Sequence, residues 1–287
     1  MTGIINWNEL WKTMRSGSAW RRAPEKDADF WDKYAKRCNE SLMQSNERTE
    51  RQITKMELYP EYSVLDIGSG VGRLAVPIAK KVKTVTALDP SKDMLAYLKE
   101  NMKKEGVNNI VCTNKRWEDI ELGEDIEPHD VVVASYSLGM FDMQETLAKI
   151  DAAAKRCVYL FEFVGGWMDE KFWKELHGER RPAWTGYIYL YNILHDMGIC
   201  ANVKIIDSDY EQQYDSLDDA VNKWKDMYDV PSEKEGVLTE YLTKILVERD
   251  GKLCLKRKSK SAMVWWKKNH ECTEQRSQYP VGENPTR

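Results

Sequence analysis

The sequence predicts an α/β fold: a doubly wound, mostly parallel sheet preceded by a helical N-terminal extension. Three observations carry that prediction. From Tyr62 onward, short apolar runs alternate with amphipathic helical stretches, which is the pattern of βαβ units around a buried parallel sheet. The first apolar run ends in a glycine cluster, Gly68-Ser69-Gly70-Val71-Gly72, that leads straight into a helix. Residues 1–60, by contrast, place their aromatic side chains at helical spacing.

The bulk of the chain fits that picture. Its 287 residues, 42% hydrophobic, allow one large domain or two smaller ones with a full core. The net charge of −4 offers no basic excess for nucleic acid. Cys38, Cys112, Cys157, Cys200, Cys254 and Cys272 are scattered, with no CxxC pair and no histidine at metal spacing. They read as reduced thiols, and no metal is expected. The start, MTGIINWNELWK, lacks the basic and long apolar segments of a signal peptide, and no run reaches the length of a membrane span. These features predict a soluble, cytoplasmic protein without a membrane partner.

Each element can be read in order. Trp7, Leu10, Trp11 and Met14 mark a first helix. A second runs from about Ala28 to Met43, with Phe30, Trp31, Tyr34 and Cys38 on one face, and a third from about Glu47 to Leu58. Val64–Ile67 and Lys83–Leu88 read as strands, Leu74–Lys80 and Ser91–Lys104 as helices, and Ile110–Cys112 as a short strand. Val131–Ala134 and Cys157–Val164 are apolar strands flanking a helix over Glu145–Ala154. Past Gly166 come helices at Met168–His177 and Tyr187–Met197 and a strand at Val203–Asp207. Ser216 with Asp219, and Ser232 with Glu235, have capping-box spacing and predict helices to about Tyr228 and Glu248. Asp250-Gly251 is a turn signal, and Leu253–Leu255 with Ala262–Trp266 reads as an antiparallel hairpin.

The chemistry sits in Asp66-Ile67-Gly68-Ser69-Gly70-Val71-Gly72-Arg73. Such a loop lets a ligand lie against the main chain at a helix start. A dinucleotide fingerprint would need glycine at 68, 70 and 73, but position 73 is Arg and the third glycine is Gly72. Asp66 precedes the first glycine by two residues. Its carboxylate would repel a pyrophosphate and attract an ammonium, which disfavours a nicotinamide-dependent oxidoreductase. Asp89 ends the second strand, where a carboxylate lies beside a bound ribose. Ser91 is the better cap for the following helix, so that helix does not need Asp89.

The loop followed by Leu88-Asp89-Pro90-Ser91-Lys92-Asp93-Met94 resembles the first two cofactor motifs of the class I S-adenosylmethionine-dependent methyltransferase superfamily. The resemblance spans Tyr62 to about Val164 and continues loosely to Lys268. It implies a seven-stranded, mostly parallel sheet (the Rossmann-like methyltransferase fold) and S-adenosylmethionine as cofactor, with S-adenosylhomocysteine as product. It further implies that Asp66 and the backbone of Gly68, Ser69 and Gly70 hold the methionine part, Gly72 permits close packing, Asp89 with Pro90 holds the ribose side, and Met94 flanks the adenine. Where the family shows an acid and a small residue at the adenine edge, this sequence has Arg116-Trp117-Glu118-Asp119. Trp117 either stacks on the adenine or anchors its loop, and Glu118 or Asp119 receives the amino group. Ser135, after the fourth strand, falls where the family faces the sulfonium. The implied organisation is an N-terminal extension or lid over 1–60, a methyltransferase domain over 61–268 with helical insertions at about 165–200 and 216–248, and a flexible tail over 269–287.

The acceptor is less legible. Ala134-Ser135-Tyr136-Ser137 is neither the N-P-P-Y type of amide and adenine methylators nor the Pro-Cys type of cytosine-C5 enzymes. Tyr34, Tyr136 and Trp184 are candidate substrate contacts, with a core aromatic as the alternative for Tyr34. His195 reads as a helix-end residue, Arg180-Arg181 as a solvated pair, and Lys256-Arg257-Lys258 as an edge-strand guard. No catalytic base stands out, and methyl transfer does not demand one. The aromatic-rich additions and the charge favour a small-molecule acceptor. The alternatives are a protein or RNA acceptor, or a non-catalytic S-adenosylmethionine-binding protein.

Overall fold

The computed structural model describes residues 5–16, 24–44, 47–165, 169–178, 186–228 and 230–268. Helices α1 (Trp7–Ser16), α2 (Pro24–Gln44) and α3 (Glu47–Ile53) come first. The alternating region follows: β1 (Ser63–Ile67), α4 (Ala75–Ala79), β2 (Thr84–Leu88), α5 (Lys92–Lys104), β3 (Ile110–Thr113), β4 (His129–Ser135), α6 (Met143–Ala153) and β5 (Ala154–Val164). Then come α7 (Glu170–His177), α8 (Gly186–Asp196), β6 (Asn202–Tyr214), α9 (Leu217–Tyr228), α10 (Glu235–Ile245), β7 (Val247–Arg249) and β8 (Lys252–Lys267).

The strands order as β3-β2-β1-β4-β5-β8-β6. Pairings from β3 through β5 are parallel, and β8 runs antiparallel to both β5 and β6. The core sheet therefore has seven strands with one reversed, as the resemblance implies; short β7 adds a further pairing to β8. The order changes direction between β1 and β4, so a crevice opens outside their carboxyl ends, which is where doubly wound sheets bind ligands.

Continuous apolar runs make these strands because both faces are covered: Val64, Leu65, Val131, Val132, Val133, Ala134 and Val158 have no exposure at all. On one face Trp11 of α1, Leu147 and Ile150 of α6, and Leu190 and Leu194 of α8 pack on Leu65, Ile67 and Leu160. On the other, Ile53 of α3, Ile78 of α4, and Leu95 and Leu98 of α5 pack on Val64, Val85 and Val133. A third cluster joins Phe172, Trp173 and Leu176 of α7 to Trp224 of α9, Leu238 and Leu242 of α10, Tyr214 of β6 and Leu255 of β8.

Four sequence expectations need correction. Leu253–Leu255 and Ala262–Trp266 are not two strands of a hairpin but the two ends of β8. The hairpin is instead β7 to β8, turned by Asp250 (φ +50) and Gly251 (φ +73), the paired left-handed conformations of a tight β-turn. Strand β6 continues past Asp207 to Tyr214. The added length of both strands is polar, and cross-strand pairs replace apolar alternation: Lys260 meets Asp207 at 2.5 Å and Lys256 meets Glu211 at 3.2 Å. Finally, α10 stops at Ile245, because Leu246 is extended (ψ 139°), and α3 stops at Ile53.

The third cluster rests on Trp224, which is 1% exposed and donates its Nε1–H to the Tyr214 hydroxyl at 2.8 Å. Trp224→Ala removes that bond and opens a cavity, so it should cost about 3–5 kcal/mol. Urea unfolding should show the lower midpoint; an unchanged midpoint would mean the cluster adds nothing to stability.

Candidate cofactor and acceptor site

After β1 the chain turns through Gly68 (φ +70), Gly70 (φ +55) and Gly72 (φ +90) into α4. A Cβ on Gly68 would lie 2.3 Å from the Cβ of Ser137, whose hydroxyl donates to the Ile67 carbonyl at 2.6 Å. The loop after β4 is thereby pressed against the first turn.

The loop amides are already in use. The N–H groups of Gly68 and Ser69 donate to the Leu88 carbonyl at 2.8 and 3.0 Å. That of Gly70 donates to Asp89 Oδ2 at 2.8 Å. Asp66, 2% exposed, accepts from the N–H of Ala75, the first residue of α4. A helix start is the usual seat of a phosphate, and here the protein's own carboxylate fills it. What the turn offers instead is Asp66 Oδ2 and Ser69 Oγ, both buried and without a hydrogen-bond partner among the described residues. Burial pushes the Asp66 carboxyl up to about 7, against the pull of Arg73, with Asp89 raising it further.

Asp89 is 6% exposed, and its Oδ1 accepts the Ser91 N–H at 2.9 Å. Asn114 holds this corner from β3, donating to the carbonyls of Asp89 and Pro90 at 3.0 and 2.8 Å. Ser91 caps α5 by accepting the Met94 N–H at 3.0 Å and donates its hydroxyl to Asp32 of α2 at 2.5 Å. Ala35 of α2, 1% exposed, packs on Val71 and Met94. Helix α2 therefore lies directly over both cofactor motifs.

Helix α3 closes the other flank through Arg73. This buried guanidinium donates to Thr49 Oγ1 at 3.2 Å, Gln52 Oε1 at 2.7 Å and Ser135 Oγ at 2.6 Å. Burial and the nearby Arg48 lower its pKa to about 10. Tyr136, at φ +60, stacks on Phe163 with centroids 3.9 Å apart, and its hydroxyl meets Ser261 Oγ at 2.5 Å and the Gln52 amide at 3.0 Å. Arg48 and Arg73 lie 5.2 and 5.5 Å from its ring.

Comparison with known proteins agrees with this geometry. The family described as Methyltransferase domain matches residues 64–157. An uncharacterized protein of Haemophilus influenzae is 30% identical over 246 residues, covering 82% of this chain and 88% of its own length. Among solved structures, a Bacillus halodurans protein assigned as a methyltransferase superposes with a TM-score of 0.52 at 19% identity, covering 77% of this chain and 98% of its own. The YcgJ protein of Bacillus subtilis gives 0.50 at 16% identity, over 75% and 97%. The chain belongs to the class I S-adenosylmethionine-dependent methyltransferase superfamily. It is an S-adenosylmethionine-dependent methyltransferase. Among the described residues no cluster suited to a metal ion occurs, and no helix is long and apolar enough to cross a membrane.

The remaining sequence candidates divide clearly. Ser135 and Tyr136 join the crevice through Arg73 and Gln52, as above. Trp117 does not reach it: at 3% exposure its indole sits in the core with Leu65, Ile67, Leu88 and Leu147, under the Lys149 ammonium at 5.0 Å. Stacking on an adenine is thus corrected to loop anchoring, since a large ring gains more from the core than from a rim. Glu118 stays exposed beside it, while Asp119 is taken by a two-point bond from Arg116 at 2.8 and 2.7 Å. Tyr34 points to the far side of α2, its hydroxyl donating to the Asp226 carbonyl of α9 at 3.2 Å; the candidate substrate contact is withdrawn. His195 is exposed at its helix end, 3.7 Å from Asp196. Tyr189 packs edge-on against Trp7 and Trp11. Trp184, Arg180, Arg181 and the tail over 269–287 lie outside the described residues.

Two participants escape the motif reading. Arg73 enters it only as the residue that breaks a dinucleotide pattern, although a charge in the turn just before the apolar helix α4 is the signal. Glu162 is the lone acid in Tyr159-Leu160-Phe161-Glu162-Phe163-Val164, and it is 3% exposed with Oε1 unpartnered among the described residues.

Asp66 has a stability signature with a definite sign. Its folded pKa of about 7 lies above the unfolded value of 3.8, so the folded state binds the extra proton and loses stability as pH rises through that window. Asp66→Asn should therefore be more stable than the parent at pH 8 and no more stable at pH 4, by urea unfolding without cofactor. Equal stability at pH 8 would show that the carboxylate is not strained.

Proposed function

We propose that this methyltransferase acts on a small-molecule acceptor, in a crevice that its own N-terminal helices cover. The observation that carries the reading is the placement of α2 and α3. Ala35 lies on Val71 and Met94, and Thr49 and Gln52 bind Arg73, so the carboxyl ends of β1 and β4 are roofed by the chain itself. A roofed crevice admits a compact acceptor and excludes a folded protein or an RNA helix. The net charge of −4 points the same way.

Within that crevice, Asp66 with Ser69 Oγ and the carbonyls of the Gly68–Gly70 turn would receive the ammonium end of S-adenosylmethionine. Asp89 would take the ribose hydroxyls, its buried carboxylate standing at the end of β2 beside the glycine turn. Pro90 would lie beside Asp89 on the ribose side, Met94 would flank the adenine, Gly72 lets the loop lie close on α5, and exposed Glu118 would meet the exocyclic amine. S-adenosylmethionine supplies an electrophilic methyl on a sulfonium. The chain's part is alignment, which can account for much of the rate. Arg73 holds Ser135 and favours the anionic form of Asp66, and the left-handed backbone at Tyr136 fixes the wall after β4. Strain of this kind concentrates at functional sites.

Asp89→Ala should weaken S-adenosylmethionine binding by about 1–3 kcal/mol, read by calorimetry; unchanged affinity removes Asp89 from the site. The acceptor class is tested by release of S-adenosylhomocysteine with small-molecule, protein and RNA substrates in parallel. Turnover confined to protein or RNA would overturn the reading.

A further inference from the structure

Glu162 sits one residue beyond the last pairing of β5 with β4, Phe161 with Ser135. There the chain of β4 turns away at Tyr136, whose N–H donates to the Phe161 carbonyl at 2.9 Å. Strand alternation puts Glu162 on the face of Leu160, under α1, α6 and α8, and not on the Arg73 face. Its surroundings are tied to the cofactor loop by short steps. Ser137 touches Gly68, and two residues on, the Gly139 carbonyl accepts the Arg15 guanidinium of α1 at 2.7 Å. The charge of Arg15 is the electrostatic partner that Glu162 feels.

Glu162 Oε1 is buried and makes no hydrogen bond among the described residues. Burial raises its carboxyl to about 8 in spite of Arg15. A buried acid without a partner costs stability, and a well-packed strand would sooner hold an apolar side chain at that place. Such a residue is retained when a ligand completes it.

We propose that Glu162 is the acceptor-recognition carboxylate of this methyltransferase, and that the acceptor it selects is an amine. The inference rests on the small-molecule reading above. A carboxylate there accepts a hydrogen bond from an N–H and aims the nitrogen lone pair toward the methyl. As the N–C bond forms, the S–C bond breaks with its electron pair going to sulfur, and the N–H proton passes to the Glu162 carboxylate. Where Glu162 is ionised, above about pH 8, an anionic acceptor, whether carboxylate or phenolate, would instead meet like charge.

The experiment compares wild type with Glu162→Gln, which keeps shape and loses the charge. Thermal melting should show the variant as stable as the parent or more so, and S-adenosylmethionine affinity by calorimetry should stay within about twofold. Loss of cofactor binding by both proteins would break the underlying assignment of the crevice, which is separate from this one. The S-adenosylhomocysteine complex, titrated with a panel of primary and secondary amines, phenols and carboxylic acids, should bind amines. Glu162→Gln should weaken the best amine by roughly 10-fold or more and cut kcat/KM for it by about 100-fold. Preference for acids or phenols, absence of any amine binding, unchanged amine kinetics in the variant, or a fall in its melting temperature would each overturn the proposal.

Discussion

The buried carboxylate of Asp66 is the constraint around which the rest of the site is arranged. It takes the N–H of Ala75 at the start of α4, so the helix end that most nucleotide-binding loops turn toward a phosphate is filled from within. The loop amides complete the exclusion by donating to Leu88 and Asp89. A turn whose Gly68, Ser69 and Gly70 amides are used internally, with the Asp66 acceptor kept inward, suits a cation. The same feature explains Arg73: a buried anion is costly alone, and a guanidinium fixed by Thr49, Gln52 and Ser135 offsets part of that cost.

Through Arg73 the requirement spreads into the N-terminal helices. Thr49 and Gln52 belong to α3, so an N-terminal helix completes the hydrogen bonding of the guanidinium beside Asp66. Helix α2 has a comparable double role. It binds Ser91 through Asp32 and Asn101 through Asn39, and on its other side Tyr34 and Arg37 donate to carbonyls near the end of α9. Donors at a helix end find carbonyls that lack intrahelical partners. Helix α2 is thus held between α5 and α9, a helix of the third hydrophobic cluster.

What was legible in the sequence follows from where the physics is local. Strands buried on both faces are apolar throughout, so β1, β2, β4 and β5 announce themselves, and Asp66, the glycines and Asp89 are recognisable because a backbone turn and a ligand both restrict residue type. The outer halves of β6 and β8 are held by cross-strand ion pairs, which leave no apolar alternation to read. Trp117 illustrates a different failure: its position after β3 is recognisable, but whether a large ring turns to the rim or to the core is decided by residues such as Leu65 and Leu147 that lie far away in sequence. Tyr34 fails likewise, because the side of α2 that meets the crevice is set by α9.

The two buried acids at the carboxyl end of the sheet, Asp66 on β1 and Glu162 on β5, lie on opposite faces and meet different surroundings. Asp66 has Arg73 beside it and a bond to the α4 backbone; Glu162 has Arg15 and an unpartnered oxygen. Both carboxyls are raised into or above the neutral range, to about 7 and about 8, so both destabilise the empty fold once ionised. A single such residue could be an accident of packing. Two of them, near the carboxyl ends of β1 and β5, are what the ammonium end of the cofactor and the amine acceptor proposed above would neutralise. Under the ligand assignments proposed above, the burial that lowers stability once the two acids ionise is the same burial that would strengthen their hold on a cationic partner.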